Sequence, residues 1–374
     1  MKNIILGFLL LAQITVWFVI DPPWGQRKAR TDIVDQKKLE AVATDQVGRI
    51  RIQPPGLESL TLEKSKDRWT IREAQGFPAT ESTVAALLLE MDLLAKSGFR
   101  SPKSAMHDTY EVSAAKGTRL TLETADAKLI GKYIIGKRDI QGLQGTFIRL
   151  DGDDDVYVTP AKKLASLLTV DPKRWYDPAM MDVDYRQQAR LSELSSNCYR
   201  LEIESNAPDP KNPELKVRKR FVYEKVAATE PGGEAQWRVV EPSDQKELKL
   251  NGLLVKGLAS AVLSTRAVNL IGATTQPEYG LDDPDEIRLR VRARFKDDNE
   301  ETVRTLEIGN EIPPIQAGRP SRFRYAKSSY PGDQLKQRFV FAISNVTPRY
   351  YERGPAVLEQ KADPKKKKAA SAPK

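Results

Sequence analysis

Trp69-Thr70-Ile71, Tyr110-Glu111-Val112 and Ile135-Gly136 return later in the chain, in the same order, as Trp237-Arg238-Val239, Tyr279-Gly280-Leu281 and Ile308-Gly309. Pro172-Lys173-Arg174-Trp175-Tyr176 then returns in shorter form as Pro348-Arg349-Tyr350-Tyr351. The separations rise from 168 to 175 residues and never fall, as two copies with small loop insertions would give. A period this long exceeds a solenoid repeat and fits a duplicated domain.

Each copy reads as strands, one long helix, then more strands. Ile50 and Ile52 alternate with Arg51 and Gln53, a strand signal. Leu60 to Ile71 reads as a hairpin turning at Lys66-Asp67, with Trp69 in its second strand. Thr80 is the expected N-cap of a helix with Glu81 in its first turn. Val84, Leu87, Leu88, Met91, Leu94 and Ala95 form its apolar face, and Gly98 is the expected C-cap. In the second copy the expected face is Leu254, Gly257, Leu258, Ala261 and Val262. Hairpins follow: Leu120–Leu122 with Leu129–Ile135, then Thr146–Leu150 with Val156–Val158, and a short helix around Leu164. The second copy supplies Ile287–Phe295, Val303–Ile308, Arg322–Tyr325 and Phe339–Ile343. Successive hairpins imply mainly antiparallel sheet and an α+β class. The expected layout is an anchor over 1–24, a juxtamembrane linker over 25–47, a first unit over 48–180 and a second over 181–353. A disordered Lys/Ala/Pro tail is expected over 354–374.

The anchor rests on Ile4 to Ile20, apolar except for Gln13 and Thr15 and near the short limit for crossing a bilayer. Trp17 and Trp24 suit the interface, and the run ends Val19-Ile20-Asp21-Pro22 without the small residues a signal-peptide cleavage site needs. Lys2 on one side and Arg27, Lys28 and Arg30 on the other leave orientation open: positive-inside counting favours the cytoplasm, and a basic start before an apolar run favours export. The net charge of +9 comes partly from Lys361, Lys365 to Lys368 and Lys374, and names no particular anionic surface. Cys198 is the single cysteine and His107 the single histidine, which excludes an intramolecular disulfide and any zinc site built on several His or Cys ligands.

Four stretches invite chemistry. Gly131-Lys132 to Gly136-Lys137-Arg138 approaches a phosphate-binding loop, but Arg138 stands where the hydroxyl is needed and strand formers fill the loop; a strand end is the better reading. Asp151-Gly152-Asp153-Asp154-Asp155 starts like a calcium loop, but Val156 and Lys162 stand at its sixth and twelfth positions, so a hairpin turn is expected. Asp282-Asp283-Pro284-Asp285 reads as a turn, and His107 as a surface-loop residue. The sharpest pattern is the alternation of Arg288, Arg290, Arg292 and Arg294 with apolar residues, which sets four guanidinium groups on one strand face. That face is either a solvated surface offset by Glu301 and Glu307 or a stripe for an anionic partner.

The order of the landmarks resembles the bacterial family called domain of unknown function 4340. The resemblance runs from about Val47 to Tyr351 and rests on Trp69-Thr70-Ile71, the leucine helix Val84–Leu94, Tyr279-Gly280-Leu281-Asp282-Asp283-Pro284, the Ile-Gly pairs and Val156-Tyr157-Val158. The first copy departs at Tyr110-Glu111-Val112, which lacks the glycine and the proline. The resemblance implies an extracytoplasmic domain on one anchor, associated with an ABC-type export system and its gliding-motility-type auxiliary component. It brings no catalytic residues. The expectation is therefore a non-enzymatic accessory protein of the inner membrane, its large domain periplasmic, without cofactor, metal or nucleic-acid partner. The alternative is a binding module for an anionic envelope polymer using Arg288–Arg294. A hydrolase comes third, because no nucleophile, base and orienting group can be assembled from these residues.

Overall fold

The computed structural model describes residues 38–360, apart from positions 67, 141–144, 182–187, 210, 213–214, 228–234, 298–299, 315, 317 and 333. The expected anchor over 1–24 lies outside the described residues, as does most of the tail. Among the described residues no helix is long and apolar enough to cross a membrane. The chain divides into two compact units, Met1–Tyr176 and Asp177–Lys374.

The first unit is a nine-stranded antiparallel sheet. Its strands are β1 (Arg49–Gln53), β2 (Leu60–Ser65), β3 (Arg68–Ile71), β4 (Phe77–Pro78), β5 (Gly98–Ser101), β6 (Thr118–Glu123), β7 (Leu129–Arg138), β8 (Thr146–Leu150) and β9 (Val156–Thr159). The order is β4-β3-β2-β1-β6-β7-β8-β9-β5. Alternation places Ile50, Ile52, Leu60, Leu62, Ile71, Leu120 and Leu122 in the core. Helix α1 (Glu81–Asp92) lies against β3 and buries Val84, Leu87 and Met91. Two short helices follow, α2 (His107–Tyr110) and α3 (Leu164–Leu167).

The second unit repeats the plan. Helix α4 (Gln188–Ser196) leads into β10 (Cys198–Pro208), β11 (Lys216–Val226) and β12 (Gln236–Glu241). Helix α5 (Gly252–Leu263) follows, then β13 (Asn269–Gly272), β14 (Leu289–Asp297), β15 (Glu300–Glu311), β16 (Phe323–Ser329), β17 (Val340–Ser344) and helix α6 (Thr347–Tyr351). The eight-stranded order β12-β11-β10-β14-β15-β16-β17-β13 is the first sheet's order without a partner for β4. Trp69 on β3 and Trp237 on β12 occupy equivalent strands, both buried.

Two details tie the copies together. Glu111 and Gly280 both take the left-handed conformation just after a tyrosine, at φ of 58° and 61°. Gly136 and Gly309, each on the strand alongside, pass so close to the Tyr110 and Tyr279 carbonyls that a Cβ on either would collide with backbone. The tyrosine rings then stack on equivalent strands, Tyr110 on Phe147 at 4.5 Å and Tyr279 on Tyr325 at 4.1 Å. The first copy keeps the turn without glycine at position 111 by holding a glutamate in αL, which is uncommon but allowed. At the other end, the Thr80 N–H donates to the Trp175 carbonyl at 2.6 Å and the Asn251 N–H to the Leu358 carbonyl at 2.8 Å. Each bond joins the start of the long helix to the last turn of its own unit.

That second detail corrects the repeat. Leu358, not Tyr350, stands where Trp175 stands, and the Pro348–Tyr351 likeness to Pro172–Tyr176 is one of spelling. It also moves the end of the second unit. Pro355–Leu358 form a 3-10 turn with Leu358 buried, and the Gln360 N–H donates to the Lys249 carbonyl, so 354–360 are packed rather than tail. Residues 38–47 are likewise not linker: Leu39, Val42 and Val47 are buried in the first unit, and Thr44 donates to Asp92. The boundary falls at 176/177 rather than 180/181, because Pro178 and Met180 bond to Ala267 and Thr265. Thr80 holds the N-cap position without a side-chain cap, whereas the Asn251 side chain does accept the Leu253 N–H. Gly98 is not a C-cap. Helix α1 tightens through a 3-10 turn at Leu93–Lys96 that buries Leu94, and Gly98 opens β5.

Candidate functional site

β14 alternates as its sequence requires: Leu289, Val291, Ala293 and Phe295 are fully buried, and Arg290, Arg292 and Arg294 lie on the other face. Arg288 sits one residue before the strand. β10 and β15 flank β14, and their registers bring glutamates to these arginines. Arg290 Nε lies 2.7 Å from Glu307 Oε1, and Arg292 Nη1 3.3 Å from Glu204 Oε1. Arg294 bridges Glu202 and Glu301, both at 3.1 Å. Arg288 Nη2 holds Glu352 at 2.8 Å. The face is also less open than a solvated strand side, since the Arg290 and Arg288 side chains are only 14% and 16% exposed.

The pairing continues across the sheet. Glu202 accepts from Arg200 at 2.9 Å and approaches Arg220 at 3.6 Å, while Glu224 joins Arg200 to Arg238. Burial pushes the Glu202 carboxyl up, but the guanidinium groups of Arg200 and Arg294 outweigh it and hold the group below the usual range. Hydrogen bonding to Glu301 raises Arg294, with Glu202 adding to the effect. At the end of the strand, burial lowers both Arg288 and Arg324, opposed by Glu352 and Glu311. Arg290, Arg292 and Arg294 thus belong to a charge lattice matched on their own sheet, and Arg288 is paired from just beyond helix α6 by Glu352.

The other stretches are structural. Gly131–Arg138 lies inside β7. Asp151–Asp155 is the β8–β9 turn, where Asp151 pairs with Arg119 at 3.1 Å and Gly152 takes φ of 95°. Asp283 organises a turn by accepting the Asp285 N–H, and Asp285 pairs with Arg218 at 3.4 Å. His107 is not a surface-loop residue: it begins α2 with its side chain 12% exposed. Its Nε2 lies 2.9 Å from the Asp154 carbonyl, which can only accept, so Nε2 carries the proton. Among the described residues no cluster of three or more His, Cys, Asp or Glu is disposed to hold a metal.

The sequence pattern missed one feature. The buried side of α5 is Val255, Ala259, Val262 and Leu263; of the expected face Leu254, Gly257, Leu258, Ala261 and Val262, only Val262 lies on it. Nearly every position of α5 is apolar, so two stripes compete, and packing beneath α4 and over the sheet selects one. The other four, Leu254, Gly257, Leu258 and Ala261, instead line a groove of about 280 Å3, closed on its far side by Tyr350, Arg353, Gly354 and Val357, with Tyr223 and Tyr351 at its base. Leu254 is 45%, Tyr350 56% and Val357 52% exposed. A cluster of exposed large apolar side chains around one concavity marks a contact surface more often than chance. The available signal in the sequence was Gly257 in mid-helix.

Comparison with curated proteins and with solved structures gives no match. The sequence pattern of the family described as Domain of unknown function (DUF4340) matches residues 69–284, from the tryptophan of β3 to the proline after the Tyr279-Gly280-Leu281 turn. That match spans more than half of the chain and carries landmarks from both units, and the chain belongs to the DUF4340 family.

Proposed function

We propose that this chain is a non-enzymatic accessory protein of the bacterial inner membrane that binds protein components of an ABC-type, gliding-motility-like export system. In this reading the apolar run Ile4–Ile20 is the single anchor and the two units stand in the periplasm. The observation that favours a protein partner over an anionic envelope polymer is the state of the arginine strand. Each of Arg288, Arg290, Arg292 and Arg294 already holds a glutamate at 2.7–3.3 Å. A polyanion would have to displace those carboxylates and leave them unpaired, against a Coulomb field that is matched without it.

The test is purification of the full chain from cross-linked native membranes. The reading expects export-system subunits in constant proportion, and protease added to spheroplasts should degrade both units. Purification without transporter subunits, or units protected from outside protease, would defeat it. Retention on an anionic glycan column that falls with salt and with paired Arg290→Gln and Arg292→Gln changes would favour the polymer reading instead.

A further inference from the structure

Gly257 sits in the sixth position of a twelve-residue helix, where glycine is less stable than alanine by about 1 kcal/mol. The fold does not need it: a Cβ built there meets nothing within 4 Å. The contrast with Gly136 and Gly309, where backbone forbids any side chain, is direct. At position 257 the open space belongs to the groove, so the glycine keeps the groove clear rather than letting the domain pack.

The groove's dimensions fit a helix. Leu254 to Ala261 covers two turns, about 10 Å along the axis. That is the span of anchors at i, i+3 or i+4, and i+7 on a bound amphipathic helix. Small residues at 257 and 261 allow its backbone to come close, and Tyr350 and Val357 stand exposed on the opposite wall. One wall of the groove is basic: Arg353 lines it, is exposed and, among the described residues, forms no ion pair. Arg349, next to the wall residue Tyr350 in sequence, is also exposed without an ion pair among the described residues, while Glu352 is taken by Arg288.

We propose that this groove receives an amphipathic helix of a partner protein, which sets small or apolar side chains over Gly257 and carboxylates beside Arg349 and Arg353. The proposal rests on reading the chain as a protein-binding accessory and names the chemistry of the partner at that site.

The experiment uses the full chain in phosphatidylcholine nanodiscs. A displayed library of helical peptides, randomised at one apolar stripe and its flanks, is selected against it. The expected result is enrichment of apolar residues at i, i+3 or i+4 and i+7 with Asp or Glu on the flanks. Gly257→Leu, whose Cβ meets nothing within 4 Å and whose side chain would occupy groove space, should weaken the selected peptides by about tenfold or more. The pair Arg349→Glu and Arg353→Glu should weaken them similarly and shift selection towards lysine-flanked peptides. Should Gly257→Leu fail to fold, Tyr350→Ala at an exposed wall position serves in its place, with the same loss expected. No enrichment over empty nanodiscs overturns the proposal, as does enrichment that is insensitive to these substitutions. Phosphatidylglycerol vesicles that bind the chain and lose binding with Gly257→Leu would also overturn it, by assigning the groove to lipid. If export subunits still co-purify while no peptide is enriched, only the groove assignment fails. If peptides are enriched and no export subunit co-purifies, the accessory reading fails.

Discussion

Replacing Glu202 by glutamine removes one negative charge from the centre of the arginine lattice and keeps the side chain's shape. The Glu202 side chain is 6% exposed and faces Arg200, Arg294 and Arg220, which are 29%, 35% and 46% exposed. Breaking a fully buried pair costs about 3–5 kcal/mol, and breaking an exposed one about 0.2–1. Here the carboxylate is dry, but its partners are half-solvated and each has a second glutamate: Glu224 for Arg200, Glu301 for Arg294 and Glu241 for Arg220. The expected cost is therefore intermediate, about 2 kcal/mol. For a domain of this size that is a fall of about 4–8 °C in melting temperature. Calorimetry of wild type and variant reads it directly. The pH dependence supplies an internal check. The folded Glu202 carboxyl titrates below its unfolded value, so its stabilisation is complete above the unfolded value of about 4.3. It is lost as pH falls through the lower folded value, and the two melts should converge there. A loss under about 0.5 kcal/mol at neutral pH, or a difference that persists unchanged into acid, would refute the lattice as a source of stability.

Three substitutions test the backbone devices. Glu111→Gly should stabilise the first unit by about 0.5–1 kcal/mol, because glycine adopts φ of 58° without strain; an unchanged urea midpoint would mean that the glutamate side chain compensates. Gly309→Ala should cost about 2 kcal/mol or more, since its Cβ would strike the Tyr279 carbonyl, and a wild-type melt would discredit the close approach. Gly257→Ala should raise the melting temperature through a gain of up to about 1 kcal/mol, and a destabilised variant would show that the space above the helix is not open.

The duplication was legible because backbone geometry enforces its landmarks. A strand glycine touching a carbonyl tolerates no side chain, so Ile135-Gly136 and Ile308-Gly309 share their spelling, whereas the left-handed turn keeps its tyrosine and its shape but accepts Glu111 in place of glycine. The strands were legible wherever one face is buried, as at Ile50 and Ile52. The expected four-arginine face was visible, but its glutamate partners were not all visible: Glu204 and Glu202 lie 88 and 92 residues from Arg292 and Arg294 and meet them only through sheet register. The buried side of α5 was legible only at Val262, because apolar residues surround most of the helix and leave periodicity without contrast. The last turn of the second unit was hidden for a different reason. Pro355–Leu358 is apolar but only four residues long, too short to show a period, and is held by backbone bonds that leave no trace in composition.

Those closing bonds set an order of events during synthesis. The first unit's helix begins at Thr80, but the carbonyl that fastens its first turn belongs to Trp175, at the very end of the unit. Such a long-range closure should make full protection of the unit wait for its last residues to leave the ribosome. The first unit should become protease-resistant only when chain growth has passed Tyr176, and nascent chains stopped before Asp171 should remain open to cleavage. The second unit carries the same latch at Leu358, so its protection is expected as a separate, later step, once the short turn at Pro355–Leu358 has emerged.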